Sequence, residues 1–259
     1  MAGAGCDGRP MDRPCGRGGR RSAPVPGGQT PMTRQTRRSA PSLFGQRGYL
    51  PPIQWTTSQA ARALAHYLSS VPAPNRTAVV RNPHLSEAWA QDLVQAPTVI
   101  NRVARLIGPE AGVDQTFLVT KWPGELTEVP MHQDGVSVDI ELDPVRSVSC
   151  WLSISDAPEA AGALQFSVGS HRWGYLPHAF DATGALAAHD DPRLNDCEFT
   201  TVPTTAGEAL LFDTRLLHRS GPNSTQRPRI GLNIVYARRS AYLRGSATRR
   251  EGWQPLRLP

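Results

Sequence analysis

Several features that mark common protein classes are missing from this sequence. It has no run of about 18 apolar residues, so no transmembrane helix is predicted, and no apolar stretch follows the charged N-terminus as in a secretory signal. The four cysteines are not spaced as two pairs, which argues against a zinc ribbon and a disulfide framework. No glycine-rich phosphate loop follows a predicted strand. These absences predict a cytoplasmic protein without membrane association.

Lysine is nearly absent: Lys121 is the one lysine, and arginine supplies the other basic side chains. The net charge of +6 is concentrated at one end. Residues 1–39 contain eight arginines and two aspartates, whereas basic and acidic side chains balance from Ala40 onward. A neutral folded region has no general attraction for a phosphate backbone, so nucleic-acid binding is not expected.

The N-terminal segment differs in composition from the rest of the chain. Residues 1–45 are rich in Gly, Pro, Arg and Ser and contain few apolar residues. Such a segment cannot offset the entropy lost on ordering, so we predict a disordered tail at 1–45 and one domain at 46–259. An arginine-rich arm for nucleic acid is the alternative interpretation. It is disfavoured because residues 1–39 offer no aromatic side chain for base stacking.

The spacing of apolar residues changes within the domain from helical to strand periodicity. In the first part, Thr56 or Thr57 can cap one helix and Ser86 precedes a second, which Pro97 interrupts and Gly108 ends. From about Gln115 the period becomes two. The predicted strands are Thr116–Val119, Val148–Ile154, Ala163–Val168, Ala209–Phe212 and Ile230–Tyr236. Helices followed by short strands indicate a mainly β fold, a sandwich or barrel with flanking helices.

A histidine and a carboxylate lie two positions apart at His132 and Asp134. On a strand these side chains point to the same face. A second histidine, His218, follows the strand Ala209–Phe212. Two imidazoles and one carboxylate leave three coordination sites open on a metal, which suits non-haem Fe(II). The alternative is that both histidines belong to the core without binding a metal.

An arginine stands at the start of the last predicted strand. A guanidinium inside a barrel costs several kcal/mol unless a carboxylate pairs with it, and a bidentate pair supplies that partner. Arg229 is therefore a candidate to bind the distal carboxylate of a keto diacid, with Ser220 adding a hydroxyl. Arg227 competes for this role, but Pro228 separates it from the strand.

Four segments together resemble the phytanoyl-CoA dioxygenase family, which includes ectoine hydroxylase and many natural-product oxygenases. They are Val119–Gly124, His132–Asp134, the block Trp151–His171, and His218–Arg229. The resemblance implies a double-stranded β-helix (a cupin-like jelly-roll), with iron held by His132, Asp134 and His218. It also implies 2-oxoglutarate binding by Ser220 and Arg229, which lie two and eleven positions after the second histidine.

The family's activity gives the expected function. The resemblance implies an Fe(II)- and 2-oxoglutarate-dependent dioxygenase that uses O2 to hydroxylate an unactivated C–H bond. We expect the loops Val136–Arg146 and Arg172–Thr200 to select the substrate. Neither loop carries a basic cluster suited to coenzyme A, so a small or medium metabolite or natural product is favoured. Asp134 disfavours halogenation, for which relatives have a small residue in place of the carboxylate.

Two further site residues and several histidines have open assignments. Lys121 either approaches the co-substrate or is solvated, and Trp151 either lines the cavity or belongs to the core. The remaining histidines assigned to the surface or to the substrate loops are His66, His84, His178 and His189. A jelly-roll metal protein without oxygenase activity, such as an isomerase, a hydrolase or a non-catalytic binding module, is the alternative function. The sequence does not determine the oligomeric state.

Overall fold

The computed structural model of this chain describes residues 40–72, 76–125, 128–244 and 252–258. Its α-helices are α1 (Ala40–Arg47), α2 (Ser58–Ser69), α3 (Ala88–Leu93) and α4 (Pro97–Ile107). Of the two predicted cap residues, Thr57 caps α2, because its hydroxyl accepts a hydrogen bond from the Ala60 N–H at 3.2 Å. Pro97 begins α4, where a proline removes no hydrogen bond from the helix.

The strands form a larger and a smaller antiparallel sheet. Their bounds are β1 (Ile53–Gln54), β2 (Val79–Arg81), β3 (Ala111–Lys121), β4 (Val129–His132), β5 (Glu141–Leu142), β6 (Ser147–Ser153), β7 (Leu164–Phe166), β8 (His178–Phe180), β9 (Leu186–Ala188), β10 (Thr200–Val202), β11 (Glu208–Phe212), β12 (His218–Ser220), β13 (Arg229–Arg238), β14 (Tyr242–Arg244) and β15 (Gln254–Pro255). The larger sheet has the order β1-β11-β6-β13-β3-β15, with β2 also paired to β3, and the smaller has the order β10-β7-β12-β4. Two short pairs, β5 with β14 and β8 with β9, complete the described strands. The mainly β double-stranded β-helix predicted from the sequence is confirmed.

The larger sheet packs one face against the helices. Val99 and Val103 of α4 belong to the same buried cluster as Leu152 of β6 and Leu232 of β13. Side chains alternate along a strand, so the residues between these apolar ones face the opposite side. That inner face carries the polar side chains described below.

The predicted strands correspond to β3, β6, β7, β11 and β13, with different bounds. β3 begins at Ala111, earlier than the periodicity indicated, and β7 is confined to Leu164–Phe166. The loop Arg172–Thr200, which has no clear periodicity in the sequence, contains the hairpin β8–β9. Three-residue strands are too short for an alternating pattern to be recognised.

The surface assignment of His84 is wrong. This side chain is fully buried, with Nδ1 2.7 Å from the Thr116 hydroxyl and Nε2 3.3 Å from the Gly252 carbonyl oxygen. The partners lie 32 and 168 positions away in the chain. A histidine buried by such distant contacts leaves no local pattern in the sequence.

Helix α1 lies at the predicted boundary between tail and domain. Helix α1 includes the last part of the segment 1–45 for which we predicted disorder. Residues 1–39 lie outside the described part of the chain, so the division into tail and domain stays a prediction. Among the described helices, none is both long and apolar enough to cross a membrane.

Candidate metal and co-substrate site

Two histidines and an aspartate converge on the inner side of the smaller sheet. His132 ends β4 and His218 begins β12, and the two residues are direct partners in the antiparallel pairing of these strands. Asp134 follows β4 closely, so its Oδ1 lies 3.5 Å from His132 Nε2 and 3.7 Å from His218 Nε2. One ligand atom from each residue lies within 4.8 Å of the others. The three predicted metal ligands are therefore brought together.

Backbone carbonyls set the orientation of both imidazole rings. The Nδ1 of His132 lies 2.9 Å from the Pro130 oxygen, and the Nδ1 of His218 lies 2.9 Å from the Leu216 oxygen. A carbonyl oxygen can only accept, so each Nδ1 carries a proton. When the rings are neutral, both Nε2 lone pairs are directed toward the space beside Asp134. This is the tautomer that metal ligation through Nε2 requires.

Burial and mutual contact determine the charges of these groups. Burial, and secondarily the neighbouring His132, lower the pKa of His218 to about 4, so its ring is neutral at pH 7. Burial opposes ionisation of Asp134, but His218 and His132 hold its pKa below the usual range. An ionised carboxylate beside a neutral imidazole is a suitable donor set for a divalent cation.

Asn233 holds the second oxygen of the aspartate. Its Nδ2 donates to Asp134 Oδ2 at 3.2 Å, which leaves Asp134 Oδ1 facing the two imidazoles. Asn233 lies on the inner face of β13, in the middle of the larger sheet. It was not among the predicted site residues, because only the pairing of distant strands places it near Asp134.

We expect Asn233→Ala to weaken metal binding about 10–100-fold, the usual effect of removing a hydrogen-bond partner of a ligand. Without the amide, Asp134 can rotate away from the position that faces both imidazoles. Anaerobic equilibrium dialysis against Fe(II) measures the affinity. Gln115→Ala removes an amide from the same cavity wall and serves as the matched control; equal losses in both variants would contradict a specific role for Asn233.

Gln133, between the two ligands, connects three parts of the chain. Its buried side chain donates to the carbonyl oxygens of Gly174 (3.0 Å) and Arg215 (2.5 Å), and its Oε1 accepts from the Leu176 N–H (2.8 Å). Its backbone N–H donates to His178 Nε2 at 3.1 Å. The ligand-bearing strand is thereby joined to the first residue of hairpin β8–β9 and to the loop before β12.

Arg229 lies buried at the start of β13. Its side chain is only 1% exposed, and Nε and Nη2 have no hydrogen-bond partner among the described residues. Burial lowers the pKa of this guanidinium to about 9, so it remains charged at pH 7. Arg227, the competing candidate, is exposed. A buried cation without a carboxylate beside it is the arrangement expected of an anion-binding residue.

Trp151 covers the guanidinium of Arg229. Its ring lies 4.1 Å from the Arg229 Cζ, and its Nε1 donates to the Ser153 hydroxyl at 3.0 Å. A Cβ on Gly231 would lie 1.9 Å from Trp151 Cζ2, so only glycine leaves room for the ring. Trp151 also belongs to a buried apolar cluster, so it both lines the cavity and contributes to the core.

Lys121 is the register partner of Arg229 and is equally buried. Its Nζ donates to the carbonyl oxygens of Ser220 (3.2 Å) and Gly221 (2.6 Å). Asn223 Nδ2 in turn donates to the Lys121 carbonyl oxygen at 2.9 Å. Lys121 is therefore not a solvated surface lysine. It fixes the segment that carries Ser220, whose buried side chain lies on the inner face with that of Arg229.

We expect the free energy of unfolding of the wild type to rise relative to that of Lys121→Met as the pH increases from 7 to 10.5. Both proteins are measured without metal and co-substrate. Burial, and secondarily Arg229, lower the pKa of Lys121 from 10.5 to about 7. Below pH 7 the folded protein holds a buried ammonium, whereas between pH 7 and 10.5 only the unfolded chain binds this proton. Melting temperatures measured across this range should show a relative gain of at least about 4 °C. A difference that stays constant with pH would contradict the assignment.

One cavity of about 660 Å3 connects Arg229 with His132, Asp134 and His218, the three candidate ligands that we call the metal cluster. The predicted site residues on its wall are His132, Asp134, Trp151, His218, Ser220 and Arg229. Lys121 is not among the described wall residues and acts from behind Ser220. The volume lies in the range of pockets that bind small organic ligands.

This geometry agrees with the family relationship of the sequence. The family model of phytanoyl-CoA dioxygenase (PhyH) matches residues 56–231. The chain belongs to the phytanoyl-CoA dioxygenase family. The match includes His132, Asp134, His218 and Ser220, as well as Arg229, so the resemblance expected from the sequence is confirmed.

Members of this family with diverse substrates are similar to the chain. A methylphosphonate hydroxylase of Gimesia maris is 25% identical over 66% of this chain and 62% of its own length. An ectoine dioxygenase of Nocardia farcinica is 28% identical over 62% of this chain and 59% of its own length. The chain thus matches less than two thirds of these relatives.

A solved structure supports the fold. The epimerase SnoN, crystallised with Fe3+, alpha ketoglutarate and nogalamycin RO, superposes with a TM-score of 0.65. It is 21% identical, and the alignment covers 85% of this chain and 92% of SnoN. At 21% identity this likeness establishes the shared fold only. The reaction of this chain has to be inferred from its own site.

Proposed function

We propose that this member of the phytanoyl-CoA dioxygenase family is an Fe(II)- and 2-oxoglutarate-dependent dioxygenase. The observation that carries the proposal is the buried Arg229, which lacks a hydrogen-bond partner at Nε and Nη2 among the described residues and shares a cavity with the His/Asp/His cluster. A dicarboxylate could bind the metal at one end and this guanidinium at the other. The site thus accounts for both a metal and a diacid.

The donor set fits iron. His132 Nε2, His218 Nε2 and Asp134 Oδ1 converge from one side, and three protein ligands on one face suit a non-haem Fe(II) centre with open positions. When bound, iron with 2-oxoglutarate supplies the activation of O2 that the side chains alone cannot perform. The protein's contribution is to hold, orient and shield the reactants.

Each remaining residue has a part in binding the co-substrate. Arg229 would form a bidentate ion pair with the carboxylate far from the metal, and the Ser220 hydroxyl would donate to the same group. Trp151 keeps the guanidinium in one position through its ring contact. Lys121 holds the Ser220 segment in place through its hydrogen bonds to the Ser220 and Gly221 carbonyl oxygens. Together they exclude water from one end of the cavity.

The proposed reaction is hydroxylation of a C–H bond in a small or medium metabolite or natural product. Its support is the cavity beside the cluster and the chemistry of relatives such as the ectoine dioxygenase. We also propose a cytoplasmic protein whose domain follows an N-terminal tail at 1–45. The balance of charge from Ala40 onward supports a role without nucleic acid.

Anaerobic absorption spectroscopy tests the proposal. Adding 2-oxoglutarate to the Fe(II)-loaded protein should produce a weak visible charge-transfer band, because the keto acid would chelate the metal. Succinate, which lacks the keto group, is the matched control and should give no such band. Metal binding without a band would point to the alternative, a jelly-roll metal protein without oxygenase activity, such as an isomerase or hydrolase.

A further inference from the structure

Exposed apolar side chains gather around the mouth of the cavity. Among the described residues with large exposed hydrophobic side chains, Val79, Leu85, Val138 and Phe180 all line it. We call these four residues the apolar rim. Phe180 is 57% exposed, although an aromatic ring gains from burial. Clustered exposed apolar side chains commonly mark a ligand-binding groove.

The hairpin β8–β9 forms one wall of the mouth. Phe180, Ala185 and Leu186 of this hairpin face the cavity. His178 at its base accepts the Gln133 N–H and donates from Nδ1 to the Leu176 carbonyl oxygen at 2.9 Å. The wall is therefore attached to the strand that bears His132, so the rim and the metal cluster form one continuous surface.

The mouth of the cavity carries few charges, with a net charge of +1 from two arginines and one aspartate. Apart from the groups assigned to iron and co-substrate, the charged wall residues are Arg81, Asp139 and Arg219. Arg219 donates to Gln165 and lies over the Phe199 ring, with Cζ 4.1 Å from its centroid. Arg81 and Asp139 are both exposed and opposite in sign. Each arginine also lies over an aromatic ring, Arg81 over Phe117 and Arg219 over Phe199, so apolar surface surrounds both charges.

We infer that the substrate is an uncharged, largely apolar molecule that extends from the metal cluster to the apolar rim. The inference rests on the proposed function, because it takes the reacting carbon to lie beside the metal. Its body would cover Val79, Leu85, Val138 and Phe180. The amides of Gln115 and Asn233 on the same wall offer neutral hydrogen bonds that can orient it.

A neutral fluorescent dye tests the inference without knowledge of the substrate. N-phenyl-1-naphthylamine should bind the wild-type protein with enhanced emission, and Phe180→Ala should weaken this binding at least about tenfold. Tyr67→Ala is the matched control, because Tyr67 is an aromatic residue of similar exposure on α2. We expect the control to change binding less than about twofold. No dye binding, or equal losses in both variants, would overturn the inference.

The sulfonated form of the same ring system tests the charge. 8-Anilinonaphthalene-1-sulfonate should bind no more tightly than the neutral dye. Tighter binding that is lost in Arg81→Ala would overturn the inference in favour of an anionic substrate. The charge-transfer band is measured on the same samples, so the two proposals can fail separately. A charge-transfer band without rim-dependent dye binding would remove the substrate class and leave the proposed function. Rim-dependent dye binding without a band would remove the proposed function and leave only a site for an apolar ligand.

Discussion

Arg229→Met should raise the unfolding temperature of the metal-free protein and abolish its stabilisation by 2-oxoglutarate. The wild-type guanidinium is buried, and Nε and Nη2 have no hydrogen-bond partner among the described residues. Burial lowers its pKa from 12.5 to about 9, which corresponds to a cost on the order of 5 kcal/mol while the charge persists at pH 7. Methionine removes the charge and keeps an apolar contact with Trp151. We expect a gain of at least about 3 °C.

The second half of this result concerns the co-substrate. At a hundred times its Kd, a ligand stabilises the folded state by about 2.7 kcal/mol. For wild type with metal this corresponds to a shift of about 5–10 °C. The shift should vanish in Arg229→Met because the distal carboxylate loses its ion-pair partner.

Thermal denaturation with and without 2-oxoglutarate measures both effects. Arg227→Met is the matched control, since Arg227 is an exposed arginine two positions earlier. It should leave the melting temperature and the ligand response unchanged. A variant at 229 that melts earlier yet still responds to 2-oxoglutarate would show that this arginine has a structural role.

Asp134→Asn should reduce both succinate formation and Fe(II) affinity by more than about 100-fold. Removing a hydrogen-bond partner of a metal ligand costs at most about that much, and Asp134 is a predicted ligand itself. Asparagine keeps the shape of the side chain but supplies no negative charge between His132 and His218. The neutral amide also places either a donor or a weak acceptor where Oδ1 now faces both Nε2 atoms.

Asp139→Asn is the matched control for this substitution. Asp139 lines the same cavity, and its exposed carboxylate accepts a hydrogen bond from the nearby Ser137 hydroxyl. If negative charge in the cavity were all that mattered, both variants would lose Fe(II) binding to the same extent. We expect the loss only at position 134, measured by anaerobic dialysis and by the charge-transfer band.

The sequence was sufficient to predict the fold and the residues that converge on the metal. The spacing of His132 and Asp134 suggested one strand face; β4 ends at His132, but Asp134 still faces both imidazoles. His218 follows a recognisable strand. The structure adds that His132 and His218 are direct partners across two strands. Arg229 could be predicted from its place at the start of the last strand and from the spacing to His218 that the family resemblance implies.

Residues that act through distant contacts could not be predicted in this way. Asn233 reaches Asp134 across 99 positions, and His178 reaches Gln133 across 45. No local period relates such pairs, and an asparagine in a strand or a histidine in a loop is common. The role of Lys121 was left open for the same reason, since its burial depends on the carbonyls of Ser220 and Gly221.

The absence of a side chain at Gly231 couples the residues that evolution can accept at positions 231 and 151. Any larger residue there would collide with the indole of Trp151. A substitution at 231 can therefore persist only together with a smaller residue at 151, which would uncover the arginine beneath. Relatives with a larger residue at position 231 should therefore carry a smaller one at position 151.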